Sequence, residues 1–399
     1  MNRPRLLAPL TLLIMLTGSI SVFTFGVLAP FLTRDLAIGP GQLGLVTSAL
    51  FLTAAVASPR GGRLVDRLSA RTGILVIAVL SVTAHIAIAT APGVGILLVA
   101  AVAGGVANAL TNPVTNQLVA RAGPSEQQAL LLGIKQSGVP AAAALAGAVL
   151  PSVAIVAGWR TAAITPMVLS VTLLAAASLA PSAARDGSGG APFAASRSFR
   201  LLRWYTALMG GAAGALHTFL VLFAVESAGF APGQAGLAAS LMGVMAVVAR
   251  VAWAYVAQRS GATAIVLTGI AVLGAVSGAV LLTASTLGPG PVWIASGLAG
   301  ASIIAWQAVV MLAVLQRSTP TTVGAASGYV WRGFFLGLLV TPVSLGALVE
   351  ATSTYTALWL AVAVMSLSAV LPAISLRRWP SEAVNRTLPR PTTRPPRRR

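Results

Sequence analysis

The chain has 399 residues, 57% of them hydrophobic and only 8% charged, with a mean hydropathy of +0.89. Soluble domains carry about 25% charged residues, so a soluble enzyme and a disordered or fibrous chain are both excluded. The 26 Lys and Arg against 7 Asp and Glu leave a net charge of +19, which in so apolar a chain points to basic cytoplasmic loops rather than to nucleic acid.

A bilayer-crossing helix takes about 20 largely apolar residues. Twelve such segments follow one another, near 6–30, 42–60, 73–91, 94–120, 129–156, 160–180, 201–226, 234–257, 263–286, 291–315, 322–348 and 354–376. The first follows Arg3 and Arg5 and so imitates a signal peptide. Apolar segments continue along the whole chain, however, and it is read as an uncleaved membrane helix. Gly, Pro or charge marks most connections, as in Ala91-Pro92-Gly93 and Gly288-Pro289-Gly290-Pro291. The least apolar internal stretch, 182–200, reads as a flexible cytoplasmic linker. It divides the spans six and six, into an N-terminal bundle over 1–181 and a C-terminal bundle over 201–376. The expected fold is an all-α membrane protein of twelve transmembrane helices in two pseudo-symmetric bundles. The tail 377–399, rich in Pro and Arg, is expected to be disordered, with anionic lipid headgroups as its partner and no nucleic acid.

Charge orients this array. With the N-terminus inside, 21 basic residues fall on the cytoplasmic side and only Arg34 and Arg160 outside. The expected location is the inner (cytoplasmic) membrane, with both termini in the cytoplasm and the chain a monomer. The halves also repeat. Pro40-Gly41-Gln42-Leu43-Gly44-Leu45 recurs as Pro232-Gly233-Gln234-Ala235-Gly236-Leu237, an offset of 192 residues, just before the second helix of each half. Parallel six-helix repeats place a substrate site at their interface, near the midplane.

The stretch Gly62-Arg63-Leu64-Val65-Asp66-Arg67-Leu68-Ser69-Ala70-Arg71 resembles the G-x-L-x-D-R-x-x-x-R/K loop of the major facilitator superfamily. The twelve spans, two halves and central linker are similar to that family as well. The resemblance implies a conformational latch made by Gly62, Asp66, Arg67 and Arg71 against a helix of the other half. The second half departs from the motif, with Gln258 where the first has Asp66. The arginine common in the family's fourth helix is missing, and the glycine pattern of proton-driven drug antiporters is incomplete in the fifth.

Ionisable residues inside a span are costly and mark functional sites by default. Arg332 lies about ten residues into the eleventh helix, roughly 15 Å deep. No acid stands at that depth to pair with it, which favours substrate binding. Arg250 lies nearer the end of the eighth helix and reads equally as a snorkelling anchor or a ligand. Lys135, in the first turns of the fifth helix, reads as an anchor, a latch partner or a cavity base. Asn108, Asn112 and Asn116, four residues apart, share one helix face and bond either a neighbouring helix or substrate. Gln136, Gln307, Tyr329 and His217 complete the expected substrate-binding set, with His217 able to relay protons. His85 is read as structural, and Trp306 near mid-span as packing. Three intramembrane bases without a buried carboxylate point to an anionic small-molecule substrate. A weaker parallel to the organic-anion and cyanate/oxalate-like branches of the family agrees. The expected function is therefore a secondary transporter for a small organic or inorganic anion, coupled to protons or to a counter-anion. The alternative is proton-coupled efflux of drugs or other amphipathic compounds, which calls for an exposed cavity acid that the sequence lacks. Cys is absent and only two His occur, so thiol chemistry and a His-rich metal site are excluded. With no nucleophile–base pair and no phosphate loop, neither catalysis nor a cofactor is expected.

Overall fold

The computed structural model describes residues 4–67, 69–119, 125–180, 194–319 and 322–378, with side chains over those ranges except 4–5, 59–67, 125–130, 132 and 179. A backbone surrounded by hydrocarbon must bond to itself. The elements formed by the described residues are accordingly all helical. The first half holds α1 (Pro4–Val27), α2 (Ala29–Leu36), α3 (Pro40–Arg67), α4 (Ala70–Thr90), α5 (Val94–Val119), α6 (Ser125–Ala157), α7 (Trp159–Ile164) and α8 (Met167–Ala176). The second holds α9 (Arg197–Ser227), α10 (Pro232–Ser260), α11 (Thr263–Leu287), α12 (Gly290–Ala301), α13 (Gln307–Leu315), α14 (Val323–Thr352), α15 (Thr356–Ser368) and α16 (Val370–Ser375).

Eleven helical segments are long and apolar enough to cross a membrane. The remaining expected span, 291–315, is interrupted. It folds as α12 and α13, separated by the non-helical residues 302–306. Counting that broken helix, each half contributes six spans, the arrangement expected from the sequence. The first span also differs from expectation, because α2 continues to Leu36 beyond a break at Leu28. Pro30 accounts for that break, since it has no N–H to give and its ring crowds the preceding turn. Pro166 marks the similar step between α7 and α8. The motif stretch is not a loop up to Arg67, because α3 runs that far. The side chains of Gly62, Asp66 and Arg67 lie outside the described residues; Arg71 is exposed at the start of α4. The expected linker is shortened by α9, which begins at Arg197. The rest of the linker and the tail fall largely outside the described residues.

The side carrying the connection between α8 and α9 is the linker face; the side where α3 and α10 begin is the distal face. The repeated Pro-Gly-Gln has one job in both halves. Gln42 Oε1 accepts from the Gly39 N–H at 3.3 Å, and Gln234 Oε1 from the Ala231 N–H at 3.2 Å. Each Gln thus satisfies a donor that a helix start leaves unpaired. The halves share a second device on this face. Trp159 Nε1 donates to Asp35 Oδ2 at 2.6 Å, and Tyr355 donates its hydroxyl to Glu226 Oε2 at 2.6 Å. Each bond ties the end of a half's first span to the start of its sixth. Burial first, and then the Glu226 carboxylate, push the Tyr355 phenol well above the usual tyrosine range, so it stays a donor.

The two halves meet along α3 with α14 and along α6 with α10. Small residues allow this approach. A Cβ on Gly44 would overlap the Pro342 carbonyl, one on Gly346 would meet Pro40, and one on Gly147 would strike Gly236 and Ser240. Gly243 lies similarly against Pro140 and Ala144. By contrast, nothing stands within 4 Å of the corresponding point on Gly269. Gly44→Val is therefore expected to destabilise the protein by about 1–3 kcal/mol, and Gly269→Val to change little. Thermal unfolding in detergent checks this; equal midpoints for the two variants would contradict the tight seam.

Candidate functional site

The bases inside the spans are treated very differently by their surroundings. Lys135 is only 1% exposed. Its Nζ donates to Asn112 Oδ1 at 3.3 Å, to Thr115 Oγ1 at 3.1 Å, and to Asn116 Oδ1. An ammonium has three N–H donors, and α5 supplies one oxygen for each. The asparagine stripe is therefore largely an interhelical device. Asn112 and Asn116 hold Lys135, while Asn108 Nδ2 donates to Ser19 Oγ of α1 at 3.2 Å.

Arg250 is 5% exposed and is also committed. Nη1 donates to the Gln136 carbonyl of α6 at 2.7 Å. Nη2 donates to the Ile304 carbonyl at 3.1 Å and to Gln307 Oε1 at 2.6 Å. The guanidinium thus joins three things: the other half, the break between α12 and α13, and the first residue of α13. Only its Nε lacks a partner. The break explains the arrangement. Leaving the helix at Ser302 frees carbonyls at membrane depth, and α10 answers them with side chains. Trp253 Nε1 takes Ala301 at 2.7 Å, and Arg250 takes Ile304.

His217 on α9 presents its ring edge-on to Phe23 of α1, with centroids 4.9 Å apart. Its buried Nδ1 has no partner among the described residues. The Gln136 side chain is half-buried, and the carbonyl of that residue, not its amide, meets Arg250. Tyr329 lies under the Arg203 guanidinium, 4.7 Å from its ring centroid, a cation–π contact joining α14 to α9. Arg332 is exposed and has no hydrogen-bond or ion-pair partner among the described residues. On α14 it lies five turns before Glu350, on the side that meets α3.

Sequence reasoning missed Phe23, Ser19, Arg203 and the break itself. No Pro or Gly falls in 302–306, so nothing local announces it. Trp306 is fully buried in an aromatic group with Tyr205, Trp331 and Phe334, which is packing. His85 is buried, with Nδ1 2.7 Å from the Ser81 carbonyl of its own helix.

Paired six-span halves meeting around buried bases define a membrane carrier. The Major Facilitator Superfamily model matches residues 10–331, and the chain belongs to that family. Among curated proteins, the hexuronate transporter of Bacillus subtilis (strain 168) is 26% identical over 166 residues, a match spanning 41% of this chain and 39% of that protein. Two solved structures share the fold at 14% identity. One is the nucleoside transporter NupG in a mutant form, with a TM-score of 0.76, covering 93% of this chain and 99% of that one. The other is a bacterial homolog of the human lysosomal transporter Spinster, in an inward-facing and unoccupied conformation. Its TM-score is 0.70, over 94% of this chain and 95% of that one.

The two buried bases differ in what their loss leaves behind. Lys135→Met removes an uncompensated charge and leaves Asn112 and Asn116, both exposed, free to bond water. It is expected to hold or raise thermal stability. Arg250→Met strands the Ile304 carbonyl inside the protein and is expected to lose about 1–3 kcal/mol. Thermal unfolding of the two variants in one detergent decides; a greater loss for Lys135→Met would reverse these roles.

Proposed function

We propose that this transporter moves a small anion across the cytoplasmic membrane by alternating access, with the linker face in the cytoplasm. The observation that carries the substrate class is Arg332, an exposed guanidinium inside a span with no partner among the described residues. A fixed positive charge in a membrane protein needs a negative one. The acids whose side chains are described do not provide it. Asp35, Glu226 and Glu350 stand on the distal face, bonded to Trp159, Tyr355 and the Gly41 N–H. An anion entering between the halves is the remaining counter-charge.

Three further points support this reading. Asn112 and Asn116 are exposed on α5, where their side-chain oxygens accept from Lys135 of α6. Exposed amides within a span fit a water-filled path better than lipid. His217 and Arg250 each keep one buried N–H or ring nitrogen unused where the halves meet. The hexuronate transporter, to which part of the chain is similar, is named for a carboxylated sugar. The 21-to-2 split of basic residues supports a cytoplasmic linker face. The bundles 1–181 and 201–376 are the bodies that rock, joined by 182–200, and the basic tail 377–399 rests on anionic headgroups. Substrate coupled to a proton or exchanged for a counter-anion fits the absence of a carboxylate among the intramembrane bases.

Uptake of radiolabelled sugar acids and simpler carboxylates into proteoliposomes, with and without a pH gradient, tests the reading. Arg332→Ala is expected to abolish saturable uptake of the anion that wild type transports, and Arg332→Lys to retain part of it. Unchanged uptake by Arg332→Ala would remove this arginine from the site. Uptake restricted to uncharged or cationic solutes would overturn the substrate class.

A further inference from the structure

Within α3 the side chain of Gln42 reaches back only to the Gly39 N–H, and no N-cap side chain meets the first turn. The residue before its first turn is Gly39, and Pro40 has no N–H, so the Gly41 N–H is the first donor of the helix proper. That donor is taken by the other half of the molecule: Gly41 N donates to Glu350 Oε2 of α14 at 3.0 Å. The carboxylate sits at the positive end of the α3 dipole, where a negative charge is favourable. Both glycines make room for it. A Cβ on Gly39 would come within 2.8 Å of the carboxyl carbon, and one on Gly41 would strike Oε2 itself. The equivalent start of α10 has the same Pro-Gly-Gln and no such partner among the described residues, where a Cβ on Gly233 would meet only Ile155 at 3.6 Å. The repeat supplies the helix start; this extra bond is particular to the first half.

We propose that Glu350 is a positioning residue of the transport cycle, capping α3 from across the seam and holding the distal side closed. Alternating access requires α3 and α14 to part at this end, so the bond must be breakable. Glu350 is exposed at the rim, where water replaces its partner as the halves separate. The register adds a counterpart. Helices α3 and α14 run antiparallel, with Pro40 beside Gly346 and Gly44 beside Pro342. Continued along both helices, that register brings the residue-66 position of α3 level with the start of α14. One helix pair thus carries an acidic residue of α3 level with the start of α14 at one end, and an acidic residue of α14 at the start of α3 at the other. The proposal requires only that the chain alternates, not that its substrate is an anion.

The chain contains no cysteine, so one introduced thiol reports alone. Ser48 is 3% exposed between the halves, its Oγ accepting from the Val343 N–H at 3.1 Å. In the full-length Ser48→Cys protein in proteoliposomes, a membrane-impermeant maleimide is applied to each side in turn. The distal side is the one on which the Glu350 variants are compared. Glu350→Ala is expected to raise the labelling rate from the distal side about tenfold. Glu350→Gln, which keeps the shape and one oxygen without the charge, is expected to raise it severalfold. Gly41→Ala, which displaces the carboxylate, is expected to follow Glu350→Ala. A parallel Ser277→Cys protein reports unfolding, because Ser277 is buried within the second half and bonded to the Ala295 carbonyl. If Ser277→Cys reacts in the Ala variant, the comparison rests on Glu350→Gln. Rates for Glu350→Gln and Glu350→Ala equal to that of the parent would overturn the latch. Failure of anion uptake leaves this labelling result untouched, so the two readings fail separately.

Discussion

A carbonyl released from a helix inside a bilayer has no water to bond, and the fold of the second half turns on how it meets that constraint. Between α12 and α13 the helical ladder stops, and Ile304 N bonds back to Ala299 rather than to Gly300. The carbonyls left over are taken by Trp253 and Arg250, both on α10. The break therefore exists only with α10 packed beside it. Because Arg250 also holds the Gln136 carbonyl, the same side chain ties the break to the opposite half. A guanidinium suits this better than an ammonium, since its planar fork reaches several acceptors in fixed directions.

The seam between the halves follows a different logic. Lipid tails are as apolar as leucine, so burying apolar surface does little to hold membrane helices together. Close approach of backbones and a few polar bonds must do it instead. Gly44, Gly147, Gly243 and Gly346 provide the approach. Glu350 to Gly41, Val343 to Ser48 and Arg250 to Gln136 provide the bonds. Two of those three involve a charged side chain meeting a neutral backbone group. Such a bond is stronger than a neutral one yet leaves no buried ion pair to separate. That combination suits a surface which must open and close repeatedly.

How much of this could be read from the sequence follows from what each feature depends on. Span number, halves and the 192-residue repeat were legible because hydropathy and Pro-Gly-Gln are local signals. The breaks beside Pro30 and Pro166 have a local cause but were not read from it, since the first and sixth spans were expected to run unbroken over 6–30 and 160–180. The break at 302–306 was not legible, because its cause is α10, some fifty residues away, and not a residue within it. The asparagine stripe was visible as a pattern, but its purpose depended on Lys135 lying opposite. Nothing in the spacing of Asn108, Asn112 and Asn116 distinguishes a stripe that holds a lysine from one that holds a substrate. The ties of Asp35 to Trp159 and Glu226 to Tyr355 were hidden for a related reason. Their residue types differ between the halves while their positions correspond, so sequence comparison passes over them.

The charge account narrows as a result. Three bases lie within spans, and an anionic substrate follows most simply if all three await a counter-charge. Two do not. Lys135 has an oxygen for every N–H, and Arg250 keeps only Nε unused. What remains uncommitted is one guanidinium, Arg332. A site built on a single fixed charge favours a ligand with one carboxylate over a dianion, whose second charge would enter uncompensated. For the proposed anion, a single guanidinium matches a single negative charge, and the two committed bases leave nothing in the described spans to match a second.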